Sequence, residues 1–161
     1  MRLNLGCNDD VREGYRNVDV CEPCDEVADL SKPWPWLTSS VHEILANDVL
    51  EHLPSKIHSM NEAHRVLKPG GNLILAVPCV YLADGRVNPG AFADPTHKSF
   101  WTLDDRYYFG TEWNDAANER GRFGKQYGIT ALFKFVKWGL GEYGAPNERR
   151  SKITGILEAV K

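Results

Sequence analysis

The 161-residue sequence predicts an α/β domain whose sheet is parallel at its centre and antiparallel at one edge. Three observations predict it. Leu73-Ile74-Leu75-Ala76-Val77 is a continuous apolar run, the pattern of a strand buried on both faces in the middle of a parallel sheet. The shorter apolar runs before it are separated by loops or a helical stretch rather than by tight hairpin turns. Near the C-terminus, Leu132–Trp138 and Ile153–Val160 read as two strands joined as a long hairpin through Gly139–Arg150.

Taken in order, Arg2–Leu5 is the first expected strand and runs into Gly6. Turn formers follow at Asn8-Asp9-Asp10 and Glu13-Gly14, and Asn17–Val20 reads as the second strand. Only ten residues separate Gly6 from Asn17, too few for a crossover helix with its loops, so a loop with at most a short helix is expected. Ser31-Lys32-Pro33-Trp34-Pro35-Trp36 is interrupted by two prolines and cannot be regular. Val41–Ala46 is the next strand. Ser55 can cap a helix to Leu67, with Ile57, Met60, Ala63, His64 and Leu67 on one face. Lys68-Pro69-Gly70-Gly71 ends that helix. Further on, Thr102-Leu103-Asp104-Asp105 fits a capping box and predicts a short helix. The glycine-rich, polar stretch Gly110–Gly128 reads as a mobile loop. In a sheet of this kind a ligand sits beyond the carboxyl ends of the strands, where Gly6, Asp19, Asn47 and Pro78 fall.

The length fits one domain with a single core. A formal charge of −3 gives no electrostatic footprint for a large polyanion, which disfavours nucleic acid as partner. No apolar run approaches the roughly 18 residues that span a bilayer, so no membrane partner is expected. The start of the chain turns polar after five residues, unlike a signal peptide, and a cytoplasmic location with reduced thiols is expected. Cys21-Glu22-Pro23-Cys24 has the spacing of half a zinc site, but no second close pair follows. No metal site is therefore expected. Pro78-Cys79, a candidate nucleophile dipeptide, follows the wrong strand for that role.

Four blocks carry a family resemblance, in order. They are Leu3-Asn4-Leu5-Gly6-Cys7-Asn8, then Asn17-Val18-Asp19, then Asp48-Val49-Leu50-Glu51-His52-Leu53, then Glu62-Ala63-His64-Arg65-Val66-Leu67-Lys68-Pro69-Gly70-Gly71. With these the sequence resembles the class I S-adenosylmethionine-dependent methyltransferases of the methyltransferase domain 11 kind, in a short form. The resemblance implies a single Rossmann-like domain truncated at its N-terminus. It divides into a cofactor half (1–78), an irregular stretch with substrate elements (79–130) and a closing hairpin (131–161). S-adenosylmethionine is the implied cofactor and methyl transfer the implied activity. The helix that usually precedes the first strand is missing, so a second subunit is one expected cover for that flank.

The resemblance also implies site residues. Leu5, Gly6, Cys7 and Asn8 correspond to the loop under the methionine part of the cofactor. Asp19 and Val20 correspond to the ribose site, and Asp29 and Leu30 to the adenine site. Asn47, Asp48 and Val49 would line the adenine and methionine side. The physical logic agrees: a glycine admits close backbone approach, and a carboxylate at a strand end accepts from both ribose hydroxyls. Asn4 stands in place of the family's aspartate, and Asn8 in place of its second glycine. Asp48 and Glu51 read equally well as surface or capping carboxylates, and Glu62–Gly71 reads as architectural.

For the substrate side, the expected residues are His52, Pro78, Phe100 and Trp101. In Asp94-Pro95-Thr96-His97-Lys98-Ser99-Phe100-Trp101, a histidine beside a carboxylate can act as general base, which makes His97 and Asp94 the candidate catalytic pair. The expected acceptor is a small molecule or a sugar or glycoconjugate, methylated on oxygen or nitrogen. A nucleic-acid methyltransferase and a non-catalytic cofactor-binding domain are the competing readings. The amino-group signature of the nucleic-acid enzymes is absent, because Asn47-Asp48-Val49-Leu50 occupies its place.

Overall fold

A computed structural model describes residues 1–113, 124–144 and 150–161. Its centre is a 7-stranded sheet in the order β3-β2-β1-β4-β5-β7-β6. The strands are β1 (Arg2–Leu5), β2 (Arg16–Asp19), β3 (Glu26–Val27), β4 (Val41–Asn47), β5 (Leu67–Pro78), β6 (Phe133–Tyr143) and β7 (Arg150–Ala159). β1 to β5 pair in parallel, while β7 runs antiparallel to both β5 and β6. The expected arrangement, parallel centre and antiparallel edge, is what forms. No helix among the described residues is long and apolar enough to cross a membrane.

The alternating buried side chains of the central strands make the core, with Leu3, Leu5, Val18, Ile44, Leu73 and Leu75 at its middle. Helix α1 (Lys56–Val66) closes one face through Met60, Ala63 and Val66. Ser55 caps it, its side chain accepting from the His58 amide as the sequence predicts. The helix also fixes the proline-broken stretch beside it. Arg65 donates to the Trp36 and Trp34 carbonyls, both at 2.9 Å, and Glu62 accepts from the Trp34 amide at 2.6 Å. Trp34 and Trp36 are thereby held in the core. The family-like block around Glu62 and Arg65 is a clamp and lines neither cleft described below.

The boundaries of two strands differ most from expectation. β5 begins at Leu67, directly on the helix end, rather than at Leu73. A register break against β4 lets Leu67 pair with Val41 before the main ladder starts at Asn72. β6 does not stop at Trp138 but continues to Tyr143, because Gly139 and Gly141 pair with Thr154 and Lys152 of β7. An antiparallel partner that satisfies the ladder outweighs the weak strand preference of glycine. After Thr102 the capping box forms, and a 3-10 turn (Leu103–Asp105) leads into α2 (Arg106–Phe109). Within the expected loop Gly110–Gly128, Thr111–Trp113 is a 3-10 turn, and residues 114–123 lie outside the described residues.

The short first crossover contains no helix, as its length demands. It is held by two buried asparagines instead. The Asn4 amide donates to the Asp10 carbonyl (2.6 Å) and to Asn17 Oδ1 (3.0 Å). Asn17 accepts from the Arg12 amide and donates to the Arg12 carbonyl and to Asp25. Asn4 stands where the family has a carboxylate, which is an acceptor only. The amide can donate as well, and that donation is what ties the loop down.

Candidate functional site

The strand order reverses between β1 and β4, so the switch point lies beyond the carboxyl ends of those strands. A cleft of about 410 Å³ opens there. Gly6 forms its floor with φ +61, a left-handed backbone that favours glycine. A Cβ on Gly6 would stand 2.7 Å from Val49 Cγ2, so the floor is also sterically closed to a side chain. Asp19, Val20, Asp29, Leu30 and Ser31 make one wall, and His52, Leu53 and Pro54 the opposite end.

Asp19 is fixed by two backbone donors. The Asn8 amide reaches Oδ2 at 2.9 Å, and the Val20 amide reaches Oδ1 at 2.7 Å. The Cys21 thiol also donates to Oδ1, at 3.9 Å. A carboxylate has about four acceptor positions, so Oδ2 keeps one open for a ligand, and the second one on Oδ1 is held only by a weak thiol donor. Asp29 accepts the Ser31 amide and hydroxyl on Oδ1, and these bonds hold its carboxyl below the usual range. Asn8 takes φ 38, the left-handed turn that a glycine would make in this loop and that asparagine tolerates.

Other expected residues lie elsewhere. Leu5, at the end of β1, and Cys7, in the turn after it, have buried side chains. Asn47 is exposed at the end of β4. Asp48 lines the adjoining pocket rather than this cleft. With φ 52 it turns the chain away from β4, and it ion-pairs with Lys152. Lys98 lines the first cleft although nothing in the sequence marks it.

The second pocket, of about 250 Å³, shares His52 with the first. Asp48, Glu51 and Pro78 line one side, Gly90, Asp94 and His97 another, and Tyr143, Arg150 and Lys152 a third. The loop carrying Asp94–Trp101 reaches it because it is stitched to the β4 exit. Lys98 and Ser99 amides both donate to the Glu51 carbonyl, at 2.8 and 2.9 Å, and Ser99 Oγ donates to the Leu50 carbonyl. Phe100 and Trp101 line neither cleft. Trp101 is buried in the core with its indole N–H on Ser99 Oγ, while Phe100 stacks on Phe92 at the surface. Cys79 is buried, and burial pushes its thiol up, the reverse of what a nucleophile needs.

At the seam between the clefts stand Glu51, His52 and His97. The two rings are edge-to-face with centroids 5.0 Å apart. His97 Nδ1 lies 2.9 Å from the Ala91 carbonyl, which can only accept, so Nδ1 carries the proton. Thr96 Oγ1 donates to Asp94 at 2.6 Å, so it accepts from His52 Nδ1 at 2.9 Å. Both histidines thus keep a bare Nε2 when neutral. Asp94 acts on His52 through Thr96. Its nearest approach to His97 is 3.9 Å, so the expected pair is not hydrogen-bonded. Glu51 is 2% exposed, and its Oε2 has no partner. Burial pushes its carboxyl up to about 7. No periodicity marks Glu51: it sits in a 3-10 turn (Leu50–His52) whose inward face is set by tertiary contacts.

Comparison with known proteins concerns the fold and part of the first half of the chain. Residues 12–75 match the model of a methyltransferase domain family. No curated protein matches the chain. Among solved structures, a Bacillus halodurans protein assigned to the methyltransferases is similar at TM-score 0.64 and 12% identity, covering 99% of this chain and 91% of that one. A Methanosarcina mazei S-adenosylmethionine-dependent methyltransferase is similar at TM-score 0.61 and 13% identity, covering 99% and 92%. The [4+2]-cyclase SpnF shares the fold too, at TM-score 0.57 and 13% identity, covering 99% and 74%.

Proposed function

We propose that this chain is a class I S-adenosylmethionine-dependent methyltransferase that methylates an oxygen or nitrogen of a small polar acceptor, a reading supported by the matched residues 12–75 and the shared fold. A sugar or the sugar part of a glycoconjugate suits best. One observation carries the reading: a cofactor-sized cleft and a smaller polar pocket meet at His52.

The first cleft suits the cofactor on its own terms. Its volume lies within the roughly 300–1,000 Å³ of ligand sites. Gly6 gives the bare backbone on which the methionine part would rest, Asp19 offers the ribose hydroxyls one open acceptor position and a second that displaces only the weak Cys21 thiol contact, and Asp29 with Leu30 faces the place of the adenine. When bound there, the cofactor supplies an electrophilic methyl on a sulfonium. The chain's task is then to align the acceptor with that methyl, and orientation accounts for most of such a rate enhancement.

The second pocket supports a compact, hydrophilic acceptor. Carboxylates (Asp48, Asp94) and cations (Arg150, Lys152) face it together, a mixture that pairs with hydroxyls and amides rather than with an apolar ring system. Its volume admits one ring or the end of a longer molecule. The net charge of −3 lends no support to a nucleic-acid acceptor.

The test must read transfer itself, since the same fold also serves a cyclase. The chain is incubated with methyl-labelled S-adenosylmethionine and a panel of monosaccharides, sugar nucleotides and small amines. Label in an acceptor, with one S-adenosylhomocysteine released per methyl, is the expected result. Absence of cofactor binding by calorimetry overturns the reading. Binding without transfer across the panel overturns its catalytic half and leaves a cofactor-binding domain.

A further inference from the structure

We propose that Glu51, His52 and His97 form a binding site for one divalent transition-metal ion at the seam between the two clefts. One ligand atom from each residue lies within 4.8 Å of the other two. Metal–ligand bonds of about 2.0–2.2 Å place neighbouring ligand atoms about 3–3.5 Å apart, so binding requires the side chains to close by roughly an ångström. Two imidazoles and one carboxylate suit zinc, iron, cobalt or manganese, and leave positions open for an exogenous oxygen. They do not suit magnesium or calcium, which take oxygen donors.

Two further features point to a ligand here. The first is Glu51 itself. A buried carboxylate oxygen without any partner is costly, and native structures rarely leave one. A cation at the seam supplies the missing partner. The second is the set of bonds behind the histidines. Metal-bound histidines donate their other ring N–H to a carbonyl or toward a carboxylate, which fixes the tautomer and aims the free nitrogen. His97 donates to the Ala91 carbonyl, and His52 donates to Thr96, itself bonded to Asp94. Both rings are therefore held in the tautomer that a metal requires, by two unrelated devices.

For its role the site rests on the proposed methyl transfer; its binding does not. A cation beside the second pocket lowers the pKa of an acceptor hydroxyl. The proton leaves to solvent. An oxygen lone pair forms the O–CH3 bond while the S–CH3 bond breaks, its electron pair passing to sulfur and turning the sulfonium into a thioether.

The experiment uses tag-free full-length protein with Cys21→Ser and Cys24→Ser, which removes the competing thiol pair. The protein is stripped with a chelator, freed of it and titrated with Co2+. One Co2+ per chain by equilibrium dialysis, with a visible absorption band, is expected. Both signals should be lost in His97→Ala and in Glu51→Gln. The glutamine variant keeps the side-chain shape, and thermal melting checks that each protein is folded. Thr96→Val should weaken Co2+ binding roughly 10- to 100-fold by releasing the His52 ring. No bound Co2+ in the parent, or equal binding in folded variants, overturns the site. S-adenosylhomocysteine binding is measured on the same proteins. Its loss in the parent strikes the reading of the first cleft alone; lost Co2+ with retained nucleoside binding strikes the metal site alone.

Discussion

The two clefts that meet at His52 are made in opposite ways. The first has its floor and one wall at the carboxyl ends of adjacent parallel strands, with Gly6 after β1, Asp19 at β2 and Val49 after β4, and takes only Lys98 from the distant loop after β5. Its geometry comes from the sheet, and backbone amides do the positioning. The second gathers Glu51, Pro78, Asp94, His97, Arg150 and Lys152 from four separate stretches of chain, held together by loop-to-loop hydrogen bonds. The difference teaches that a site made by the sheet depends on a few irreplaceable backbone positions, whereas an assembled site spreads its dependence over many side chains.

Substitutions can break or sharpen that contrast. The largest effect is expected from Gly6→Ala. The new Cβ meets the Val49 side chain and the left-handed backbone resists it, so binding of S-adenosylhomocysteine should vanish by calorimetry and stability should fall by about 1–3 kcal/mol. Retained binding would mean that the floor is not the rigid element of the first cleft. Asp19→Asn comes next. It keeps an oxygen for only one of the two backbone amides, turns an NH2 donor toward the other, and loses the charge-assisted bonds expected to ribose, so affinity should drop roughly tenfold or more while stability falls by no more than about 1 kcal/mol, because both bonds are exposed.

Glu62→Gln probes the scaffold that serves both clefts without lining either. It should cost about 1–3 kcal/mol of stability at neutral pH and leave cofactor affinity of the folded protein unchanged. Hydrogen bonds from Arg65 hold the Glu62 carboxyl below its ordinary value of 4.5. Its stabilisation is therefore complete above the unfolded pKa and is lost as pH falls through the lower folded one. Denaturant melts of the two proteins should differ at pH 7 and converge as the solution is acidified below about 4.5. Lys152→Met should do least. Its ion pair with Asp48 is partly exposed, so thermal melts should shift by less than about 1 kcal/mol, with cofactor binding untouched. A large loss there would show that the second pocket also hangs on a single residue.

What was legible follows the same division. Gly6, Asp19, Asp29 and Val49 could be read from short local patterns because each sits at a strand end whose partners are set by the sheet. The apolar run at Leu73 located the sheet centre for the same reason. Leu5 and Cys7 enter the expected cofactor loop by adjacency to Gly6, yet both side chains are buried, Leu5 in a strand packed on both faces. Trp101 resembles a pocket wall in sequence, but its bond to Ser99 and the backbone pairing of Trp101 with Cys79 carry it inside. Glu51 was invisible as anything but a surface or capping carboxylate. Its burial depends on a loop more than forty residues away that hydrogen-bonds to its carbonyl. The sequence ends this strand at Trp138 because Gly139 and Gly141 speak for a turn locally, and only the pairing with β7 argues otherwise.

The β6–β7 pairing has a practical consequence. Tyr143, Arg150 and Lys152 enter the second pocket from one hairpin, and the first cleft takes no residue from it. The hairpin is thus a cassette. Exchanging Tyr143, Arg150 and Lys152 together therefore redraws the second pocket while every described residue of the first cleft is inherited unaltered.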